Sequence, residues 1–117
     1  MKVADALNSI HQEIDQRAYF TRVDVLDQSA TLIKARLYIS STLFVQMYRN
    51  DRFDTISFVL IYNKQRIYAR DRLGDLWHRH TAAAPHLHDT SVEGRKAITF
   101  SEFLDEVESV LSIMELP

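Results

Sequence analysis

The sequence predicts an α+β fold: a twisted antiparallel sheet of about five strands with an N-terminal and a C-terminal helix packed on one face, as one domain over residues 1–117. Three observations predict it. Apolar residues recur at three- and four-residue steps at both ends of the chain and alternate at two in between. Only two Gly and two Pro interrupt 117 residues, which leaves no room for long linkers. The composition, 46% hydrophobic and 26% charged, is enough to build one core without a disulfide or structural metal.

Val3, Ala6, Leu7, Ile10, Ile14 and Ala18 form one apolar stripe with polar residues between them, so the first helix is expected over about residues 3–18. Val23 and Val25, then Ile33, Ala35, Leu37 and Ile39, alternate with polar neighbours and read as two strands joined across Asp27-Gln28-Ser29. Phe44–Arg49 and Ile56–Tyr62 are β-branched or aromatic runs, and Asn63-Lys64 is a two-residue turn into Arg66–Arg70. From Asp71 to Thr99 the periodicity stops, apart from a short apolar piece at Leu73–Trp77. A gap of that length in a small domain is usually functional, mobile or an unread element. Thr99-Phe100-Ser101-Glu102 has the form of a capping box, with Ile98 able to staple onto Phe103 at the start of the last helix. One-sided alternation along the strands calls for both helices on the same side of the sheet.

Several functions are excluded or disfavoured by composition. No Cys is present, which removes disulfides, thiolate zinc sites and Cys nucleophiles and fits a reducing cytoplasm. No apolar run approaches the ~20 residues of a membrane span, so no membrane partner is expected. Net charge is −2, but it is unevenly placed. Arg49–His80 carries seven basic residues against four acids, whereas Thr99–Pro117 carries five acids and no base. The acidic stretch reads as the solvated face of the last helix or, less simply, as a surface for a basic partner. Gly-rich phosphate loops, Gly-x-Ser-x-Gly elbows and His-Glu-x-x-His helices do not occur.

The densest chemical signal is Trp77-His78-Arg79-His80 followed by His86-Leu87-His88, which puts four of the five histidines within eleven positions. In an extended segment His78 and His80 point to one side about 6–7 Å apart, a spacing suited to an acid–base pair or to chelation of a divalent metal. His86 and His88 repeat the spacing and are the second candidate metal pair. The plain alternative is surface or hydrogen-bonding histidine without a cofactor. By parity, Arg66, Tyr68 and Arg70 share one face of their strand, as do Lys34, Arg36 and Tyr38, so guanidiniums and phenols could line a surface for RNA or DNA. The solvent side of a half-buried sheet would look the same. Asp71 pairs locally with its basic neighbours or joins Asp75 as a carboxylate pair, and Trp77 is a packing anchor or a binding platform.

The ordered string Ile56-Ser57-Phe58-Val59-Leu60, Gln65-Arg66-Ile67-Tyr68-Ala69-Arg70-Asp71 with Gly74, Leu76-Trp77-His78-Arg79-His80, Ala84-Pro85 and His86-Leu87-His88 resembles the TumE-like family of small prokaryotic toxin–antitoxin proteins. The resemblance spans about residues 44–111. It implies a toxin component with a neutralising antitoxin encoded nearby, and it implies no particular reaction. Where members often carry Asp-Asn after the strand, this chain has Asp71-Arg72, so no role rests on that amide. The expectation assembled from both lines is a toxin acting on nucleic acid. His78 and His80 would transfer protons, and Arg66, Tyr68, Arg70, Asp71 and Trp77 would line the substrate site. Its rival is a noncatalytic metal-binding or interaction module, dimerising through exposed strand edges.

Overall fold

The computed structural model describes residues 3–81 and 83–115. Helix α1 (Val3–Gln16) is followed by strands β1 (Arg22–Gln28), β2 (Leu32–Tyr38), β3 (Leu43–Asn50), β4 (Thr55–Tyr62), β5 (Gln65–Leu73), β6 (Leu76–Thr81) and β7 (Ala84–Asp89), and then by helix α2 (Phe100–Ile113). Each strand pairs antiparallel with the next, giving one seven-stranded meander in the order β1 to β7. The sheet therefore has two strands more than the alternation predicts. Both extra strands come from the aperiodic stretch after Asp71. No helix among the described residues is long and apolar enough to cross a membrane.

Strict alternation separates the two faces. Ile33, Ala35 and Leu37 of β2, Leu43, Val45 and Met47 of β3, and Ile56, Phe58 and Leu60 of β4 are buried, and their alternate neighbours are half exposed. On the buried face α1 contacts β2 and β3, while α2 contacts β4 and β5. Ala6 and Ile10 of α1 join Phe100, Phe103, Leu104 and Val107 of α2 in one core with the strand residues. Trp77 belongs to this core, 6.2 Å from the ring of Phe58, and is a packing anchor; the substrate-platform expectation for it is not met.

The start of α2 follows its sequence signal. Thr99 Oγ1 accepts from the Glu102 N–H at 3.1 Å, and the Glu102 carboxylate accepts from the Thr99 N–H at 2.9 Å. The acidic residues of this helix are met within the chain. Arg17, at the end of α1, donates to Asp105 at 3.0 Å and also reaches Glu108, while the Tyr19 hydroxyl donates to Glu108 at 2.6 Å. On the same turn Glu106 receives a two-pronged contact from Arg70, Nε to Oε1 at 3.0 Å and Nη2 to Oε2 at 2.7 Å. The Tyr68 hydroxyl donates to the same carboxylate at 2.6 Å. Burial, and then Glu106, push the Tyr68 phenol above its usual range, so it stays a donor. Burial disfavours the Arg70 charge, but the Glu106 carboxylate more than offsets this and holds the guanidinium protonated.

Arg70 has no exposed side-chain surface, whereas Glu106 retains about a quarter of its own. Replacing Glu106 by Ala leaves the buried guanidinium only the Glu93 carbonyl at 2.6 Å and the half-exposed Glu93 carboxylate at 3.5 Å, so Glu106→Ala should lower the unfolding free energy by about 3 kcal/mol, the low end for a broken buried pair. The double change Arg70→Met/Glu106→Leu should cost less than that single change in urea denaturation. A double variant as unstable as Glu106→Ala, or more so, contradicts this account.

Candidate functional site

The open face of the sheet is built from the residues that alternate away from the core. Gly74, at φ +59°, and Asp75 turn β5 into β6, with Leu73 paired to Leu76. The resulting register sets Asp71 opposite His78, Ala69 opposite His80, and Arg70 opposite Arg79. Trp77 and Arg79 therefore accompany Arg70 to the helix side, and His78 and His80 accompany Asp71 to the open side. Ser57, opposite Asp71 on β4, completes the row, and its hydroxyl donates to Asp71 Oδ1 at 2.7 Å.

His88 reaches the same place through an irregularity. The β6–β7 ladder passes from Thr81 opposite Ala84 to Arg79 opposite Asp89, so two steps on β6 span five on β7. A bulge of this kind re-aims side chains out of the regular pleat. The His88 ring lies 4.5 Å from His78 and 4.6 Å from His80, centroid to centroid, and the latter two are 5.4 Å apart. One nitrogen from each of the three rings falls within 4.8 Å of the others. Asp71 Oδ2 sits 3.5 Å from His78 Nε2 and 3.7 Å from His80 Nε2. His80 is buried, His78 half-buried and His88 exposed, so the cluster has a closed base and an open mouth.

The bulge is fastened from the helix side. Arg79 contacts Asp89 Oδ2 through Nε at 2.8 Å and Nη2 at 2.6 Å, and Asp89 Oδ1 accepts the Ser91 N–H at 3.0 Å. The Ser91 hydrogen bonds, and then Arg79, hold the Asp89 carboxyl down at about 2. Gly94 closes the turn behind it. A Cβ there would lie 2.1 Å from the Asp89 carbonyl oxygen, a clash with backbone that only glycine avoids.

Three imidazoles converging beside a carboxylate form a donor set suited to a divalent d-block cation such as Zn²⁺. Three protein ligands leave a coordination position for water or substrate, unlike a closed four-ligand structural site. Asp71, anchored by Ser57, stands where it can orient an imidazole or take a proton. These are the only three or more His, Asp or Glu residues so grouped among the described residues.

The structure redistributes the expected site residues. His78, His80 and Asp71 come together as one cluster. His88 joins them, whereas the exposed His86 is not a member of that group. Tyr68 and Arg70 lie beneath the sheet against α2, which removes them from any contact with a ligand at the imidazoles. Arg66 does not share their face. The β4–β5 register slips between Leu60 and Ile61, so Tyr68 lies opposite buried Leu60 and Arg66 opposite Ile61 on the open side. Ser57 was not expected, although its place in the alternation of Ile56–Tyr62 marks it as facing away from the core.

Comparison of the chain with known protein families, curated proteins and solved structures finds no match in any of the three.

Since the Asp89 carboxyl is depressed from 3.8 to about 2, its contribution to holding β7 is complete above the higher value and is lost as pH falls toward the lower. Amide protection factors in residues 84–89 should fall between about pH 4 and about pH 2 while the central strands stay protected. Asp89→Asn should show the same loosening already at neutral pH, which separates this clamp from protonation of the histidines. Unchanged protection of β7 in that variant would falsify the clamp.

Proposed function

We propose that this protein is a metal-dependent phosphodiester hydrolase acting on nucleic acid, working as the toxin of a toxin–antitoxin pair. The observation that carries the chemistry is the meeting of His78, His80 and His88 with the Ser57-anchored Asp71 on the uncovered face of the sheet. The three imidazoles would hold a divalent cation, which would supply Lewis-acid polarisation of a phosphoryl oxygen and a more acidic water, and proton transfer would fall to Asp71.

Two further features support the reading. The cluster lies on the face opposite the hydrophobic core, so the fold does not depend on it as a structural zinc domain would. With Arg70 withdrawn under α2, a cation is the natural source of charge stabilisation for a phosphate at this spot. In hydrolysis Asp71 accepts a proton from the attacking water as the new P–O bond forms. The P–O bond to the leaving alcohol breaks, and the alcoholate is protonated by solvent. The resemblance to TumE-like proteins supports the cellular setting and implies a neutralising protein, for which the open mouth of the cluster is an accessible target.

A second reading is favoured by one distance pair: Asp71 Oδ2 is within 3.7 Å of both His78 Nε2 and His80 Nε2. Without metal, those two imidazoles would act as acid and base and Asp71 would orient them.

Metal analysis of untagged protein separates the two. Wild type should hold about one equivalent of zinc or a similar ion, and His78→Ala/His88→Ala less than about one tenth. Chelation should abolish cleavage of a small phosphodiester, and Asp71→Asn should reduce it by about 10–100-fold with metal content preserved. Full hydrolysis in chelator transfers the site to the acid–base reading. Neither metal nor hydrolysis, together with normal growth on induced expression, defeats both.

A further inference from the structure

We propose that the concave end of the open face, around the β2–β3 turn, is a subsite for single-stranded RNA, seating a base and phosphate upstream or downstream of the linkage held at the imidazoles. This inference rests on the hydrolase reading above and names its substrate. Three adjoining depressions of about 100, 230 and 370 Å³ meet at Ser41. Arg22, Arg36 and Lys64 are distributed among them, and no carboxylate is among their lining residues. The chain as a whole is acidic, so an acid-free recess with three cations selects for an anionic ligand. Arg22 does meet Asp24 at 3.3 Å, but both side chains are exposed and such a pair holds weakly.

The aromatic content narrows the anion to a nucleotide. The largest recess contains Tyr38 and Phe44, whose rings are 5.0 Å apart. The Arg36 guanidinium carbon lies 4.8 Å from the Phe44 ring centre, and that of Arg22 lies 4.3 Å from the Tyr38 ring centre. Arg36 Nε also donates to Gln46 Oε1 at 3.0 Å. Guanidiniums already held against rings lose little freedom on meeting a phosphate, and flat guanidinium and aromatic surfaces both stack on bases. Ser40 and Thr42 hydroxyls stand 3.5 Å apart at the same turn, offering donors and acceptors to a ribose 2′-hydroxyl. A base must leave a duplex to enter such a recess, so the strand is single.

Position links the recess to the chemistry. The row from His80 runs through Ala69, Val59 and Gln46 to Arg36, all on the open face. Four strand spacings put Arg36 about 19 Å from His80, and Ile61, on the near rim, is about 12 Å away. A chain of a few nucleotides bridges that span while lying on the sheet.

Fluorescence anisotropy with labelled oligouridylate tests the assignment. Arg36→Ala/Lys64→Ala should weaken binding at least tenfold and flatten the dependence of log affinity on log salt by about 1.4. Its metal content and cleavage of a small phosphodiester should match wild type, which also shows that it is folded. Unchanged oligouridylate affinity in that variant, with small-diester cleavage intact, overturns the subsite and leaves the hydrolase reading standing. Groove-dependent binding by a protein that neither holds metal nor cleaves a diester removes the hydrolase reading instead. Oligothymidylate binding as tight as oligouridylate overturns the choice of RNA.

Discussion

The pleat of β5 and β6 sends neighbouring side chains to opposite worlds, and the molecule depends on that separation. Tyr68, Arg70, Trp77 and Arg79 turn inward, where Glu106 of α2 meets Tyr68 and Arg70, Phe103 of α2 stacks on Tyr68, Phe58 of β4 packs on Trp77 and Asp89 holds Arg79. Asp71, His78 and His80, each one residue away, turn outward into a polar cluster with no helix above it. A charged residue in the core is tolerable because Glu106 is aimed at it from the middle of a well-capped helix. The same two strands thus hold the helix layer with one set of side chains and present ligand atoms with the other. A slip of one residue in register would exchange the two sets, so the core specifies the site.

Much of the fold was legible from local chemistry. The capping box at Thr99, the stripes of α1 and α2 and the alternation of β2 to β4 all reflect short-range patterning, and each element occurs where its pattern lies. Asn63 and Lys64 both take positive φ, as a tight hairpin turn requires. Gly74-Asp75 is a signal of the same kind. It reads as a loop because the surrounding Arg70-Asp71-Arg72 looks solvated, although Arg70 is neutralised by a residue thirty-six positions away. Its true environment is tertiary, and no local window contains it.

The site was legible in its residues more than in its arrangement. His78, His80 and Asp71 share a face because they obey a period of two across one ordinary hairpin. His88 in place of His86 depends on a register break in β7, which alternation does not foretell. Arg66 and Arg70 have the same parity yet opposite faces, because one extra residue at Ile67 reverses the phase between them. Register irregularities, one extra residue at Ile67 and three in β7, therefore separate Arg66 from Arg70 and bring His88 to the cluster without His86. The unforeseen Ser57 follows the rule and lacks only a neighbour to draw attention to it.

His88 rides on the outermost strand, held by few ladder bonds, whereas His78 and His80 belong to a strand paired on both sides. A cation shared by the three would stitch the rim of the sheet to its interior. Cation occupancy and closure of the rim then become one thermodynamic event, with each favouring the other. Starved of its ion, the chain would keep its hydrophobic layer yet unzip at the margin, exposing backbone to proteases. Metal supply would thereby govern how long the protein lasts as well as what it does.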